Sequence, residues 1–380
     1  MAGDVRVQPV ARQACAEIRY PAETRRRART VHRVARRDGR RKLPTIKVVA
    51  AAAGVSTSTV SRVFSRPHLL RESTVAHVTE VATRLGYVPH HAARALSTGR
   101  LGMIAVVVPD IANPFFPPVI RAAQARASAG GASTVLGDTD EDPAKELDLL
   151  VKLQQRTDGV VLVSSRLPED VVRERGRQGP LVLVNRDVAD VPRVLVDSAP
   201  GMREAVDHLA ALGHRHLAYV SGPTTSWSDE QRRRAVGERA AALGVAVSVL
   251  RAHRPDHEEG RAAAGEVLDA GATAAVAFDD ALAQGVLAGL AERGVAVPGE
   301  VSVIGCDDIL AATTYPPLTT VRGRGAEAGR LAVELLLELV DDPDAGRDHR
   351  RLLPSSLTCR ATTAAPPSSG TRRFDPRGAS

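Results

Sequence analysis

The sequence predicts a chain in two parts: a small all-α domain near the N-terminus and, behind it, two doubly wound α/β lobes. Three observations carry this. Charge is the first. The 380 residues are net +7, but residues 1–43 hold 13 Lys/Arg against 4 Asp/Glu, residues 44–100 hold 7 against 2, and the remainder is net −7. A basic head on an acidic body suggests an anionic partner at one end and a different task for the rest. The second observation is that helix starts and stops follow one another closely between residues 44 and 86. The third is that, from residue 101, continuous apolar runs alternate with helical stretches over more chain than one sheet domain needs.

Taken in order, residues 1–43 are Arg/Ala-rich, with clusters at Arg25, Arg26, Arg27 and at Arg40, Arg41, Lys42. They lack apolar periodicity and are expected to be disordered. They are either a basic arm that adds affinity for a polyanion or an accessory tail. Residues 44–88 are expected to fold as three helices. Thr45 caps Ile46 to about Ala53, and Gly54 stops it. Ser56 caps Thr57 to about Ser65. Ser73 caps a third helix, in which Val75, Val78, Val81, Ala82 and Leu85 recur at helical spacing before Gly86. A tight turn between the first two makes a helix-turn-helix. Residues 89–100, PHHAARALSTGR, are a short hinge, either a helix or a linker, and too short to be a stable helix alone.

The body, residues 101–365, carries expected strands at Ile104–Val108, Thr134–Leu136, Gly159–Val163, Leu181–Val184, Leu217–Ser221, Val245–Leu250, Ala274–Phe278 and Val301–Gly305. Most are continuous Val/Ile/Leu runs, as in parallel strands buried on both faces. Helical stretches such as Gly201–Leu212 and Leu282–Arg293 lie between them. The tail, residues 366–380, is Pro/Ser/Gly/Arg-rich and expected to be loose.

Several function classes recede at this stage. Cys15, Cys306 and Cys359 are far apart and odd in number, so neither a disulfide framework nor a metal knuckle is expected, and a reducing cytoplasm is the simplest setting. The N-terminus lacks the apolar stretch of a secretion signal, and Met103–Val108 is far too short to span a bilayer. Gly323, Gly325 and Gly329 are not spaced as a dinucleotide fingerprint, and no serine sits in a nucleophile elbow. His208, His214 and His216 lack a partner to complete a metal site and read as a solvent-exposed helix end. No catalytic residue, metal or cofactor is therefore expected, and the chain is read as a non-enzyme.

Residues 54–65, GVSTSTVSRVFS, hold six hydroxyls, one arginine and no acid. In a helix-turn-helix the second helix enters the major groove and its first residues meet base edges. Small hydroxyls there cap backbone N–H groups and bond phosphates. Thr57 and Ser58 would face the groove, and Arg62, one turn on, can pair bidentately with guanine. Val55, Val60 and Val63 would face the other helices. Taken alone, the stretch would equally suit an ordinary amphipathic surface helix.

The segment TIKVVAAAAGVSTSTVSRVFSRPHLLRESTVAHVTEVATRLGYVPHHAARALSTGR, followed by MIAVVVPDIANPFF, resembles the LacI/GalR family of bacterial transcription regulators. HLAALGHRHLAYVSGP, FDDALAQGVLAGLAERGVAVPGEVSVIGCDDI, YPPLTTVR and LTCRATTAAP extend the resemblance over residues 44–365. It implies a homodimeric repressor of double-stranded, near-palindromic operator DNA, with an effector domain of periplasmic-binding-protein type. It also implies residue roles. Thr45 and Ser56 start helices and touch phosphate, Thr57, Ser58 and Arg62 read bases, and Thr59 and Ser61 contact the backbone. Tyr87 packs at the end of the headpiece. Ala93 and Leu96 lie on a hinge helix, with Leu96 wedged into the minor groove. Three positions depart from the family pattern: Val48 replaces an acid that would complete a capping box with Thr45, Ser65 replaces an asparagine, and so does His90.

Ligands of open α/β sheets sit beyond the carboxyl ends of the strands. Aromatic residues are only 3% of this chain, so Phe115, Phe116, Trp227 and Phe278 in such loops are informative. With Asn113, Asn185, Arg234, Asp279 and Asp307 they are read as an effector site for a small carbohydrate, an arginine and a carboxylate binding vicinal hydroxyls. By the resemblance, Arg234 and Asp307 match ligand-contacting positions, Asp279 stands where the family often has asparagine, and Asp280 has a structural role. The expected function is that of an effector-controlled repressor, dimeric because no leucine-repeat tail is visible. The alternative is a solute-binding protein that captures sugar without touching DNA.

Overall fold

The computed structural model describes residues 44–65, 67–87, 100–342 and 348–367. The expectations for residues 1–43, for the hinge with His90, Ala93 and Leu96, for the Ser65 side chain and for most of the tail lie outside the described residues. Two compact units are present, divided between His90 and His91.

The first unit holds α1 (Ile46–Ala53), α2 (Thr57–Ser65) and α3 (Glu72–Leu85), with a short 3₁₀ turn at Pro67–Leu69. The core is Val49, Ala50, Ala53, Val60, Val63, Val78, Val81, Ala82 and Tyr87, so each helix contributes the apolar stripe its sequence carries. Gly54 (φ 64°) and Gly86 (φ 69°) end α1 and α3 in left-handed conformation, which glycine adopts without a Cβ penalty. The Nε2 atom of His77 lies 3.2 Å from the Ala53 carbonyl, tying α3 to the end of α1. Tyr87 packs against Phe64 with centroids 5.9 Å apart. Two cap expectations need correction. Thr45 has cap-like backbone angles but its side chain makes no cap hydrogen bond. α3 begins at Glu72 after Arg71, one residue ahead of Ser73, which lies inside the first turn.

The second unit is two six-stranded sheets. The first lobe holds β1 (Met103–Val108), β2 (Ser133–Asp138), β3 (Gly159–Val163), β4 (Leu181–Val184), β5 (Arg193–Asp197) and β11 (Arg350–Pro354), ordered β11-β5-β4-β3-β1-β2 and parallel throughout. The second holds β6 (His216–Ser221), β7 (Ala246–Arg251), β8 (Ala274–Ala277), β9 (Ser302–Asp307), β10 (Thr319–Arg322) and β12 (Ser356–Thr358), ordered β12-β10-β9-β8-β6-β7, with only β12 antiparallel. Around them lie α4 (Phe116–Ala129), α5 (Pro143–Gln154), α6 (Glu169–Gln178), α7 (Ala199–Ala211), α8 (Trp227–Ala242), α9 (His257–Asp269), α10 (Asp280–Glu292) and α11 (Gly325–Asp341). α7 and α10 each start two residues before the expected stretches. Four strands, β5, β10, β11 and β12, were not expected from the sequence.

The chain passes between the lobes three times: from β5 into α7, from β10 into α11, and from β11 into β12. α11 therefore returns to the first lobe, where Ala328, Ala332, Val333, Leu335, Leu336 and Leu339 join the core around Val119, Ile120 and Ala123 of α4. The two helices lie so close that a Cβ at Gly329 would stand 2.3 Å from the Val119 carbonyl oxygen.

The histidines also need correction. His214 is not at a solvent-exposed helix end; it is 1% exposed. Its ring bonds Thr273 Oγ1 (2.8 Å), Ser302 Oγ (3.1 Å) and the Ala364 carbonyl (2.9 Å), fastening the C-terminal segment to the second lobe. Among the described residues no cluster of His, Cys, Asp or Glu could hold a metal, and no helix is long and apolar enough to cross a membrane.

Two outcomes follow. Gly329→Ala forces α4 and α11 apart, at a cost of about 1–3 kcal/mol, and calorimetry of the full chain should show a Tm lower by roughly 2–10 °C. Val48→Glu supplies the missing capping acid at the third residue of α1, a helix with no acid in its first turn. It should stabilise that helix by about 0.5–1 kcal/mol, read as slower amide hydrogen exchange within it.

Candidate functional site

The first site is the outer face of α2. Ser56 Oγ accepts the Thr59 N–H at 3.1 Å, the N-cap expected from the sequence. The same oxygen lies 2.7 Å from Ser58 Oγ and 2.8 Å from Thr59 Oγ1, so the hydroxyls form a local network. Thr57, Ser58 and Arg62 are exposed, Thr59 and Ser61 half-buried, and Val60 and Val63 buried. The helix has no acid in its first turn. Its burial pattern sorts the side chains into an apolar inner face and a polar outer face ending in a cation, the chemistry that meets phosphates and base edges.

The second site is the cleft between the lobes, about 360 Å³, lined by residues that include Asn113, Phe115, Phe116, Asn185, Phe278, Asp279 and Asp307. These seven expected residues come together. Two do not. Trp227 is the first residue of α8, half-buried and outside the lining. Arg234 points away, its side chain 70% exposed and its Nε donating to Glu238 at 2.7 Å. The cleft arginine of α8 is Arg232. α8 buries Ser228, Asp229, Arg232, Ala235, Val236 and Ala240. In the run Arg232, Arg233, Arg234, only the first shares a face with Ala235 and Val236, so helical phase was the signal that could have found it. Glu141, Ser164, Arg166, Ser226, Ser228 and Pro255 complete the lining and were also missed.

Arg232 organises the second-lobe wall. It is 4% exposed. Its Nε donates to Ser198 Oγ (3.3 Å), one terminal nitrogen to the Phe278 carbonyl and the other to Asp307 Oδ1 (3.1 Å). The guanidinium also lies 4.6 Å from the centroid of the Phe278 ring, a cation–π contact. Burial alone would lower its pKa, but the anionic neighbours, Asp307 and Asp279 among them, outweigh that and keep it charged. Burial lifts the nearby acids: Asp279 to about 6, against hydrogen bonds from Leu282 and Asn113, and Asp307 to about 8, against the Arg232 charge. Asp280 is raised to about 7, again by burial. It binds Thr320 Oγ1 (2.6 Å) and the Ile309 N–H (3.1 Å) and joins sheet to loop.

The first-lobe wall is set by loops after β1, β2, β3 and β4. Buried Glu146 accepts from Ser165 Oγ and from the Arg166 N–H (2.9 Å), shaping the loop after β3. Arg166 then grips Glu141 with two bonds, Nε to Oε2 at 2.6 Å and Nη2 to Oε1 at 2.9 Å. Asn185 Oδ1 accepts the Val196 N–H at 2.9 Å. Glu141 (φ 58°), Ser164 (φ 49°), Asn185 (φ 52°) and Asp307 (φ 114°) all have positive φ. Such backbone is costly for side chains other than glycine, and these four residues place it at the strand ends around this cleft.

Two sets of contacts cross the cleft. Asn113 Nδ2 donates to Asp279 Oδ2 (2.8 Å) and to the Pro255 carbonyl (3.1 Å). Arg254, in the loop after β7, reaches Asp140 (2.9 Å) and Asp110 (3.5 Å) of the first lobe.

Residues 45–90 match the family model "Bacterial regulatory proteins, lacI family", and residues 206–363 match a periplasmic binding protein-like domain. Over 334 residues the chain is 32% identical to the HTH-type transcriptional repressor CytR of Escherichia coli K12, covering 85% of this chain and 97% of that protein. The chain belongs to the LacI family. The HTH-type transcriptional regulator DegA of Bacillus subtilis is 34% identical over 303 residues, covering 76% of this chain and 90% of its own. Among solved structures, a Lac repressor dimer bound to operator and an anti-inducer matches with a TM-score of 0.75 at 27% identity, covering 85% of this chain and all of that one. Membership of the LacI family makes the chain a DNA-binding transcriptional regulator, and these relatives are regulators rather than enzymes.

Arg254→Ala removes both ion pairs at the cleft mouth. Exposed pairs contribute about 0.2–1 kcal/mol each, so losing two should raise the ratio of open to closed lobes roughly two- to thirtyfold. Distances between spin labels on α5 and α9 would report it, and the difference should shrink as salt is raised.

Proposed function

We propose that the chain is a sequence-specific transcriptional repressor that binds a near-palindromic operator as a homodimer and is controlled by a carbohydrate held in the interlobe cleft. The observation that carries the DNA half is the sorted face of α2: Thr57, Ser58 and Arg62 exposed, Val60 and Val63 buried, and no acid in its first turn. Thr45, Ser56, Thr59 and Ser61 are assigned to phosphate and backbone contacts. A homodimer places two such helices on two half-sites. Like the Lac repressor dimer that matches it, the chain is read as an operator binder, and action on DNA places it in the cytoplasm.

The effector half is supported by aromatic faces at Phe115, Phe116 and Phe278, and by polar groups at Asn113, Asn185, Arg232, Asp279 and Asp307, converging on a cleft of about 360 Å³. Apolar walls with a few fixed polar groups suit a sugar ring. A LacI-family regulator from Enterococcus faecium with bound ribose matches with a TM-score of 0.63 at 27% identity. Arg232 stands in the cleft wall in place of Arg234 and holds Asp307, whose second carboxylate oxygen is assigned to a ligand hydroxyl. Ligand that favours one lobe arrangement shifts operator affinity by its difference in affinity for the two arrangements. The cleft has no role in an enzymatic reaction in this reading.

Selection of bound DNA from a random pool at fixed salt supplies the operator and tests the reading. Arg62→Ala should weaken binding to that operator by about 1–3 kcal/mol, roughly 10- to 100-fold, and relax the preference at one guanine of each half-site. Unchanged affinity and preference would remove α2 from base reading. Salt-sensitive binding without any enriched sequence would sink the repressor assignment.

A further inference from the structure

The cleft holds three acids, Glu141, Asp279 and Asp307, and two arginines, Arg166 and Arg232. Neither cation is left for a ligand's charge. Arg166 is closed on Glu141 by two hydrogen bonds, and its Nη1 donates to the Ser164 carbonyl at 3.0 Å. The side chains of the pair are only 3% and 10% exposed. Arg232 is held by Asp307, Ser198 and the Phe278 carbonyl.

Helix N-termini are the other places that attract anions, and here a side chain accepts an N–H at each of the three that border the cleft. At α4 the Phe115 N–H donates to Asn113 Oδ1 (3.0 Å) and the Phe116 N–H to the Asn113 carbonyl (3.1 Å). The next two residues are Pro117 and Pro118, which have no N–H to offer. At α10 the Leu282 N–H is taken by Asp279 Oδ1 (2.9 Å), and at α8 the Asp229 N–H by Ser226 Oγ (3.2 Å). Among the described residues, the polar side-chain atoms of the lining without a hydrogen bond are Asn185 Nδ2, Ser164 Oγ, Ser228 Oγ and Asp307 Oδ2, and none is cationic.

We infer that Glu141 sets the charge selectivity of this cleft: by occupying Arg166 it makes the site accept an uncharged polyol and refuse the same molecule carrying a phosphate or carboxylate. This rests on the reading of the cleft as a carbohydrate site. An anionic group entering here would have to break the buried Arg166–Glu141 pair or sit without a cation of its own beside the Glu141 carboxylate, and a buried like-charge contact costs several kcal/mol. Discrimination of this kind is built against the wrong ligand as much as for the right one.

The test is thermal-shift screening of the full chain against neutral aldoses, ketoses and nucleosides, each paired with its phosphate ester or uronate, followed by calorimetry on the hits. A neutral member should bind, and its anionic counterpart should bind at least about 100-fold more weakly. Glu141→Gln frees Arg166 and should narrow that gap at least about tenfold by improving the anionic ligand. The double variant Glu141→Gln, Arg166→Gln removes both charges and should restore the wild-type refusal. It also serves if the single variant does not fold. An anionic ligand that binds wild type as well as its neutral parent overturns the inference while leaving the carbohydrate site intact. Neutral-only binding by wild type with an unchanged gap in Glu141→Gln removes Glu141 from the role. If no member of either series binds, the carbohydrate reading itself fails and the inference with it.

Discussion

The Arg232 guanidinium is the interaction around which the effector unit is arranged. It is a cation out of water, and it is tolerable there only because three strand or helix ends converge on it. Ser198 stands where the chain enters α7, Phe278 follows β8, and Asp307 ends β9. Removing any of these partners leaves a buried charge short of a bond, a cost of several kcal/mol in general. The same convergence holds the left-handed backbone at Asp307 and presses the Phe278 ring against Gly222, where a Cβ would stand 2.7 Å from it. The start of α7, the end of β9 and the aromatic wall are thus tied to one side chain.

Much of this architecture was legible in the sequence, for identifiable reasons. Strands β3 and β4 are continuous Val/Leu runs, and their observed ends coincide with the expected ones. α1 and α2 are bounded by a glycine and a capping serine and were equally plain. β5, β10, β11 and β12 were not. RVLVD, TTVR, RRLLP and SLT are short and carry Arg, Thr or Ser, because they lie at the crossovers or sheet edges, where no continuous apolar run is required. Their pairing is decided by tertiary contact rather than by local preference.

The cleft was half legible. Phe115, Phe116, Phe278, Asp279 and Asp307 follow strands, and strand ends are where an open α/β sheet keeps its ligands. Arg234 was read as the cleft arginine in place of Arg232 because three arginines in a row look alike until the helical phase of α8 is imposed. Glu141 and Arg166 lie in loops without a motif. Their meaning comes from meeting each other across the ends of β2 and β3, which sequence spacing does not report. The headpiece shows the same division. Ser56 caps as expected, whereas Thr45, without an acid at Val48, has the backbone of a cap and no bond.

The triple crossover has a consequence for the order in which the molecule can be built. The second lobe is nearly continuous in the chain, from α7 to β10, and lacks only β12 and the segment fastened by His214. The first lobe begins earlier but cannot close its core until α11 and β11 emerge, after the whole of α7 to β10 has been made. During synthesis the apolar side of β1, β3 and β4 therefore waits uncovered while a later segment completes itself. Domains made first usually fold first. Here the N-terminal lobe of the effector unit cannot close until the lobe made after it is nearly complete, and the nascent chain must keep its Val/Leu strands from pairing elsewhere until α11 arrives.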